Sequence, residues 1–317
     1  MRFTLLLFGL FACSDHTINE IKPSTPGAGE TGFEDTGFRP VEPVCPIEQS
    51  WTLPESLATD LLFSLDSSCS MTSNIWELYG NFDAFVNELS NFSDDWQMMV
   101  VNKDNGCNHS GIIKPTTPNF KGRFKDALFA WNNQDDFTEA LLTVNARAVE
   151  QTSSGECNQG FMRDDAMLHI IDITDEPEQS EQKTGETWDI LLDRILVEKG
   201  DPVLTIISAI AGDVPNGCDG ASAGTGYAEA VAATNGVFLS ICQNWSAKQN
   251  LGMLAAASVN QDTFALSDVP IEESIKVWVN GVETTDWQYD AALNAVVILS
   301  DPPGPNDEVR VEYDTSC

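Results

Sequence analysis

From residue 58 onward the chain alternates short unbroken apolar runs with longer stretches in which apolar residues recur every three or four positions. The first pattern reads as strand buried on both faces, the second as amphipathic helix. The runs are DLLFSLD (60–66), WQMMVVN (96–102), MLHIIDITD (167–175), VLTIISAI (203–210) and VFLSIC (237–242). Between the first two, IWELYGNFDAFVNEL sets Ile75, Leu78, Tyr79, Phe82, Phe85, Val86 and Leu89 at helical spacing. FTEALLTVNARAVEQ (137–151), TWDILLDRILVEK, YAEAVAATNG (ended by Gly236) and SAKQNLGMLAAAS predict further helices. Strands alternating with helices of this length predict an α/β domain over 58–262, a doubly wound and mostly parallel sheet covered on both faces.

After about residue 263 the period drops to two. SIKVWVNGVETTDWQYD alternates Ile275, Val277 and Val279 ahead of an Asn280-Gly281 hairpin signal, and AVVILS, DPPGP and EVRVEYD add two strands and a turn. Residues 263–317 are therefore expected to form a small all-β appendage. Residues 13–50 show neither rhythm. They are rich in Pro, Gly, Thr and acid, with the near-repeat ETGFEDTGF, and predict a flexible linker.

At 317 residues, 42% hydrophobic and 9% aromatic, the chain can bury one large core and a smaller module. Sixteen basic against 49 acidic residues give a net charge of −33. So negative a surface repels nucleic acid and anionic lipid, which argues against both as partners, and it attracts divalent cations.

The N-terminus MRFTLLLFGLFAC has one Arg and an apolar run too short to span a bilayer, as expected of a signal peptide over 1–12. Leu10-Phe11-Ala12-Cys13 resembles a bacterial lipobox, with Phe11 bulkier than the small residue usual there. That resemblance implies lipidation at Cys13, attachment to the membrane through the lipid alone, and a cell-envelope location. Ser14 is compatible with outer-membrane sorting. An ordinary signal peptide cut nearby is the alternative; export follows from both. Seven cysteines then remain, at 45, 69, 107, 157, 218, 242 and 317. In an oxidising compartment most should pair, with at least one left free. Cys218 with Cys242 is the preferred pair and Cys107 with Cys157 the next. No CxxC is present to suggest zinc. Cys69 has nothing basic nearby to activate it and is expected to be packed or bonded.

The chemistry concentrates where the first apolar run ends, on Asp66-Ser67-Ser68-Cys69-Ser70. Asp175 ends the third run. In a doubly wound sheet ligands gather at the carboxyl edge where strand order reverses, so neighbouring strands would bring both aspartates to one crevice. Ser68 and Ser70 alternate in a tight loop, so both hydroxyls can point at one centre. Carboxylates and hydroxyls alone suit Mg2+, Ca2+ or Mn2+. Alternatively, Asp66 is an N-cap with turn serines behind it, and Asp175 a strand-end carboxylate.

Asp66-x-Ser68-x-Ser70 after an apolar strand, with Asp175 in ITDE at the end of a later one, resembles the von Willebrand factor A domain and its metal-ion-dependent adhesion site. LLFSLDSSCSM and FMRDDAMLHIIDITDEPEQS are especially similar to the bacterial lipoprotein branch of that family. The resemblance covers about 58–262, and the β tail resembles an extension often found there. It implies that Asp66, Ser68 and Ser70 hold the ion, that Asp175 acts directly or through water, and that a partner protein's carboxylate completes the shell. The family's motif adds a Thr on a second loop. Thr138 in WNNQDDFTEAL is nearest and also suits an N-cap; Thr116 and Thr117 are more distant choices.

Rival motifs fare worse. GASAG (220–224) fits GxSxG with Ser222 as nucleophile, but a hydrolase of that type needs a His later in the chain, and His16, His109 and His169 all precede it. His169, among apolar neighbours, is expected to be a satisfied core residue, and His109 a surface loop residue. GAGETG (27–32) and DTG (35–37) lie in low-complexity sequence without the strand and helix their chemistry needs. Asp66 and Asp175 would lie too close and too hydrated for glycoside hydrolysis. A structural envelope lipoprotein with a relic ion site remains the non-binding alternative.

Overall fold

The computed structural model describes residues 44–53, 58–130, 139–259, 262–291, 293–300 and 302–316. The signal peptide, Cys13, most of the linker and Thr138 lie outside the described residues.

Every predicted apolar run is a strand of one parallel sheet. In chain order the elements of this part are β2 (Thr59–Leu65), α1 (Thr72–Leu89), β3 (Trp96–Val101), α2 (Phe120–Leu128), α3 (Leu141–Glu150), β4 (Met167–Ile173), α4 (Ser180–Thr184), α5 (Trp188–Lys199), β5 (Thr205–Ala211), α6 (Tyr227–Ala233), β6 (Phe238–Ser240) and α7 (Lys248–Ala257), with β1 (Val44–Thr52) preceding them. The sheet order is β3-β2-β4-β5-β6, with every neighbouring pair parallel. Strand order reverses between β2 and β4. Those two strands run in register from Thr59↔Met167 to Leu65↔Ile173, so their carboxyl ends finish side by side.

Successive side chains of a strand point to opposite faces. Leu61, Phe63 and Leu65 of β2 therefore join α1, α2 and α7 in one core, while Leu62 joins α3, α5 and α6 in the other. β2, β3, β4 and β5 are buried along their whole lengths, which explains why they read as continuous apolar runs. His169, fully buried in β4, is held between Ser258 Oγ and Ser208 Oγ at 2.7 Å each, and burial holds its pKa down to about 3. It is a neutral core residue, as the sequence suggests. His109 departs from expectation: half-buried, it bonds Asn102, and burial lowers its pKa to about 4.

The tail comprises β7 (Thr263–Ala265), β8 (Lys276–Val279), β9 (Val282–Thr284), β10 (Trp287–Asp290), β11 (Ala295–Ile298) and β12 (Glu308–Ser316). Asn280 and Gly281 both have positive φ (51° and 76°) at the β8–β9 turn, the geometry that makes Asn-Gly a hairpin signal.

One boundary needs correction. The linker expected to run to residue 50 ends earlier, because Val44–Thr52 form β1 and pair antiparallel with all nine residues of β12. The sheet order β1-β12-β8-β9 makes β1 an edge strand, where Pro46 is tolerated. Leu53, just beyond it, enters the appendage's core with Phe264, Val277, Val296 and Val311. The appendage thus draws strands from both sides of the α/β part in sequence. Residues 42–317 form one compact unit. Among the described residues no helix is long and apolar enough to cross a membrane.

Candidate metal centre

The two aspartates meet at the predicted pole. The backbone N–H of Asp66 donates to Ile173 O at 3.0 Å, locking the end of β2 to the end of β4. One side-chain oxygen of Asp66 accepts the Ser68 N–H at 2.7 Å and the other accepts the Thr174 hydroxyl at 2.8 Å. Ser68 Oγ lies 2.8 Å from Ser70 Oγ, and Ser70 Oγ donates to Asp175 Oδ1 at 3.2 Å. A continuous chain of hydrogen bonds therefore runs from the end of β2 to the end of β4 through the DxSxS loop. Asp66 does organise the turn, as the N-cap alternative supposes, but it caps no helix: α1 starts after Met71, without a side-chain cap.

The electrostatics follow from burial. Asp66 has no exposed surface and Asp175 is 6% exposed. Burial pushes the Asp66 pKa up to about 6; the Ser68 and Thr174 hydrogen bonds oppose that rise, and the charge of Asp175 adds to it. A buried carboxylate with a second one near enough to act on it electrostatically favours a cation.

The donor set fits a small hard ion. For Mg2+ with oxygens at 2.0–2.1 Å, adjacent ligands of an octahedron lie about 3 Å apart. The Ser68–Ser70 and Ser70–Asp175 separations of 2.8 and 3.2 Å bracket that edge length. An ion could replace these hydrogen bonds with little rearrangement of the loop. Asp66 retains a second lone pair on each oxygen for direct or water-mediated contact. Among the described residues no three His, Cys, Asp or Glu side chains converge for a metal, so the hydroxyls are required donors.

Other residues near this pole have structural duties. Cys69, between the two serines, is exposed and free, and so is neither packed nor bonded as expected, while Met71 is buried. The GASAG motif is a brace. The Ser222 N–H donates to Asp175 O at 2.8 Å, and the Gly224 N–H to Gly212 O at 2.9 Å. A Cβ on Gly212 would meet Ser222 O at 1.8 Å, which accounts for glycine at the end of β5. The Ser222 hydroxyl faces Glu176 Oε2 at 3.4 Å, while both described histidines are engaged elsewhere. Among the described residues no histidine pairs with Ser222. Thr174, whose hydroxyl holds Asp66, is the residue of this cluster that the sequence reading passed over; its signal was its place in ITDE, directly before Asp175.

Both expected disulfides are formed, Cys107–Cys157 and Cys218–Cys242. Cys45 is also disulfide-bonded. The second bridge closes a 24-residue separation and ties down the brace behind Asp175. Loop-closure entropy puts its contribution at about 3 kcal/mol. Replacing Cys218 and Cys242 together by Ser should lower the urea midpoint accordingly, with Cys107–Cys157 intact as an internal control.

No protein-family model matches this chain, and no curated protein matches it. Among solved structures, two crystal forms of proximal thread matrix protein 1 from the mussel byssus are 15% and 14% identical, with TM-scores of 0.42 and 0.41. They align over 69% and 70% of this chain and 51% of their own. The pilus adhesin SpaC from Lactobacillus rhamnosus GG, in its open conformation, is 13% identical with a TM-score of 0.39, over 86% of this chain and 41% of its own. The chain thus spans about half the length of these structures or less. Similarity of this size assigns no function to it.

Proposed function

We propose that this chain is an exported, lipid-anchored cell-envelope protein whose von Willebrand A-like domain binds other proteins through a divalent cation. Asp66, Ser68, Ser70 and Asp175 would hold the ion, with Mg2+ the best fit and Ca2+ or Mn2+ as alternatives. A carboxylate of the partner would take an open position. Thr138 would be the fifth protein ligand.

The observation that carries this reading is the hydrogen-bonded chain from Asp66 through Ser68 and Ser70 to Asp175, whose Ser68–Ser70–Asp175 oxygens are spaced as the edges of an octahedral shell, at the switch point of a doubly wound sheet. Export draws support from the disulfides, which persist in oxidising compartments. Lipidation at Cys13 and a location at the outer membrane rest on the N-terminal sequence. A non-enzymatic role is favoured by the brace function of GASAG, which gives the one nucleophile motif a structural purpose.

Titration calorimetry with MgCl2, CaCl2 and MnCl2 tests the reading, paired with capture of proteins from envelope extract with and without EDTA. The expected result is saturable binding of at least one ion and a captured set that EDTA releases. Absence of binding for all three ions would leave the relic-site alternative.

A further inference from the structure

We infer that the ridge where α1 meets α2 is a second contact surface, and that the partner segment it fits is acidic. The inference rests on the cation-site reading for the first contact and adds the chemistry of what lies beyond it. The ridge carries three aromatic rings. Trp76, 51% exposed, lies six residues beyond Ser70. Its ring centroid is 4.4 Å from that of Phe129, just past α2, and 6.1 Å from that of Tyr79. An exposed Trp on an aromatic cluster is the composition of binding hot spots rather than of an inert helix surface.

Two lysines of α2 lie over these rings. Lys125 Nζ is 5.6 Å from the Trp76 centroid and 5.3 Å from that of Tyr79, and Lys121 Nζ is 5.5 Å from that of Tyr79. Lys121 also pairs with Asp83. Among the described residues no carboxylate pairs with Lys125. Its ammonium is positioned by ring faces that do not neutralise it, and its charge stays available to a partner.

That charge is unusual in this molecule. The chain carries −33, yet five of its 16 basic residues (Lys103, Lys114, Lys121, Arg123 and Lys125) fall within 103–125 against the single acid Asp104. An acidic polypeptide is repelled by most of the surface and steered toward this ridge. The ridge also starts close to the ion. Trp76 is about 6 Å along the helix axis from the start of α1 at 1.5 Å per residue. A carboxylate on the ion would then leave an extended segment's next acids, roughly three to five residues on, within reach of Lys125.

Fluorescence anisotropy on the full chain tests this, with fluorescein-labelled decaglutamate as probe, decalysine as control, and Mg2+ or EDTA present. Decaglutamate should bind and decalysine should not. Lys125→Glu should weaken the probe about tenfold and Trp76→Ala several-fold, while calorimetric Mg2+ affinity stays unchanged in both, which also reports an intact fold. Equal probe affinity in both variants would overturn the inference. So would binding of phosphatidylglycerol vesicles, sensitive to Lys125→Glu, in place of decaglutamate. Loss with EDTA but not with Lys125→Glu would reject the ridge and keep the ion site; loss with Lys125→Glu but not with EDTA would keep the ridge and reject the ion's role.

Discussion

Replacing Asp66 with Asn is expected to abolish divalent-cation binding and, above about pH 6, to raise the thermal stability of the ion-free protein. Both effects have one cause. The Asp66 carboxylate is fully buried, and burial raises its pKa from 3.8 to about 6. The folded state therefore holds the proton more tightly than the unfolded state does. Stability falls as pH rises from about 4 to about 6, and the penalty is present in full above that window. Asn has the shape of the protonated acid. Its carbonyl still accepts the Ser68 N–H, and its amide can donate to the Thr174 hydroxyl. The substitution relieves a penalty on the order of 2–3 kcal/mol, a gain of several degrees in melting temperature. It also removes half of the carboxylate charge at the pole, and with it the main attraction for the ion. Thermal melts in EDTA at about pH 5 and about pH 8, with Mg2+ calorimetry, check both halves. Unchanged ion affinity, or a lower melting temperature at the higher pH, would refute the account.

How far this was legible from sequence depends on the kind of signal. β2, β3, β4 and β5 are buried on both faces, so burial wrote itself as unbroken apolar runs, and their alternation with helices gave the layer architecture. Asp66 and Asp175 were legible because a carboxylate at the end of such a run is out of place unless it faces a crevice. The elements that escaped are those whose sequence contradicts their structure. β1 contains Pro46 and two charge-bearing or amide side chains, Glu48 and Gln49, and is an edge strand stabilised by one neighbour. α2, FKGRFKDAL, holds Gly122 and three basic residues, and starts from Asn119 in a left-handed conformation without a side-chain cap. Packing of Phe124, Ala127 and Leu128 holds it in place, and that contact is invisible in local sequence. Cys69 misled for a related reason: next to a buried strand, but already in the 3-10 turn that lifts it into solvent.

The second large effect is expected at Asp172, beneath the site rather than in it. Asp172 is on β4, opposite Ser64 of β2, and is fully buried. Asn145 donates to its Oδ1 at 2.7 Å, but Asp172 Oδ2, Asn145 Oδ1 and Ser64 Oγ have no hydrogen-bond partner. A proton on Oδ2 would turn that oxygen from an unpartnered acceptor into a donor among unpartnered acceptors. Burial, reinforced by the charge of Glu178, pushes the Asp172 pKa up to about 8, so the group is largely neutral at physiological pH. The folded pKa is again above the unfolded value, and this group's contribution declines as pH rises from about 4 to about 8. Asp172→Asn keeps the donor at all pH values. It should melt with the unsubstituted protein near pH 4 and about 5 °C or more above it at pH 8–9. Coincident melting curves at both ends of the range would mean that Asp172 is ionised in the fold and compensated in some other way. Mg2+ affinity should be unaffected, which separates this residue from Asp66. A neutral Asp172 adds no further negative charge beneath Asp66, Asp175 and the neighbouring Glu176, so that the repulsion at the pole is that of the strand-end carboxylates and not also of a buried acid below them.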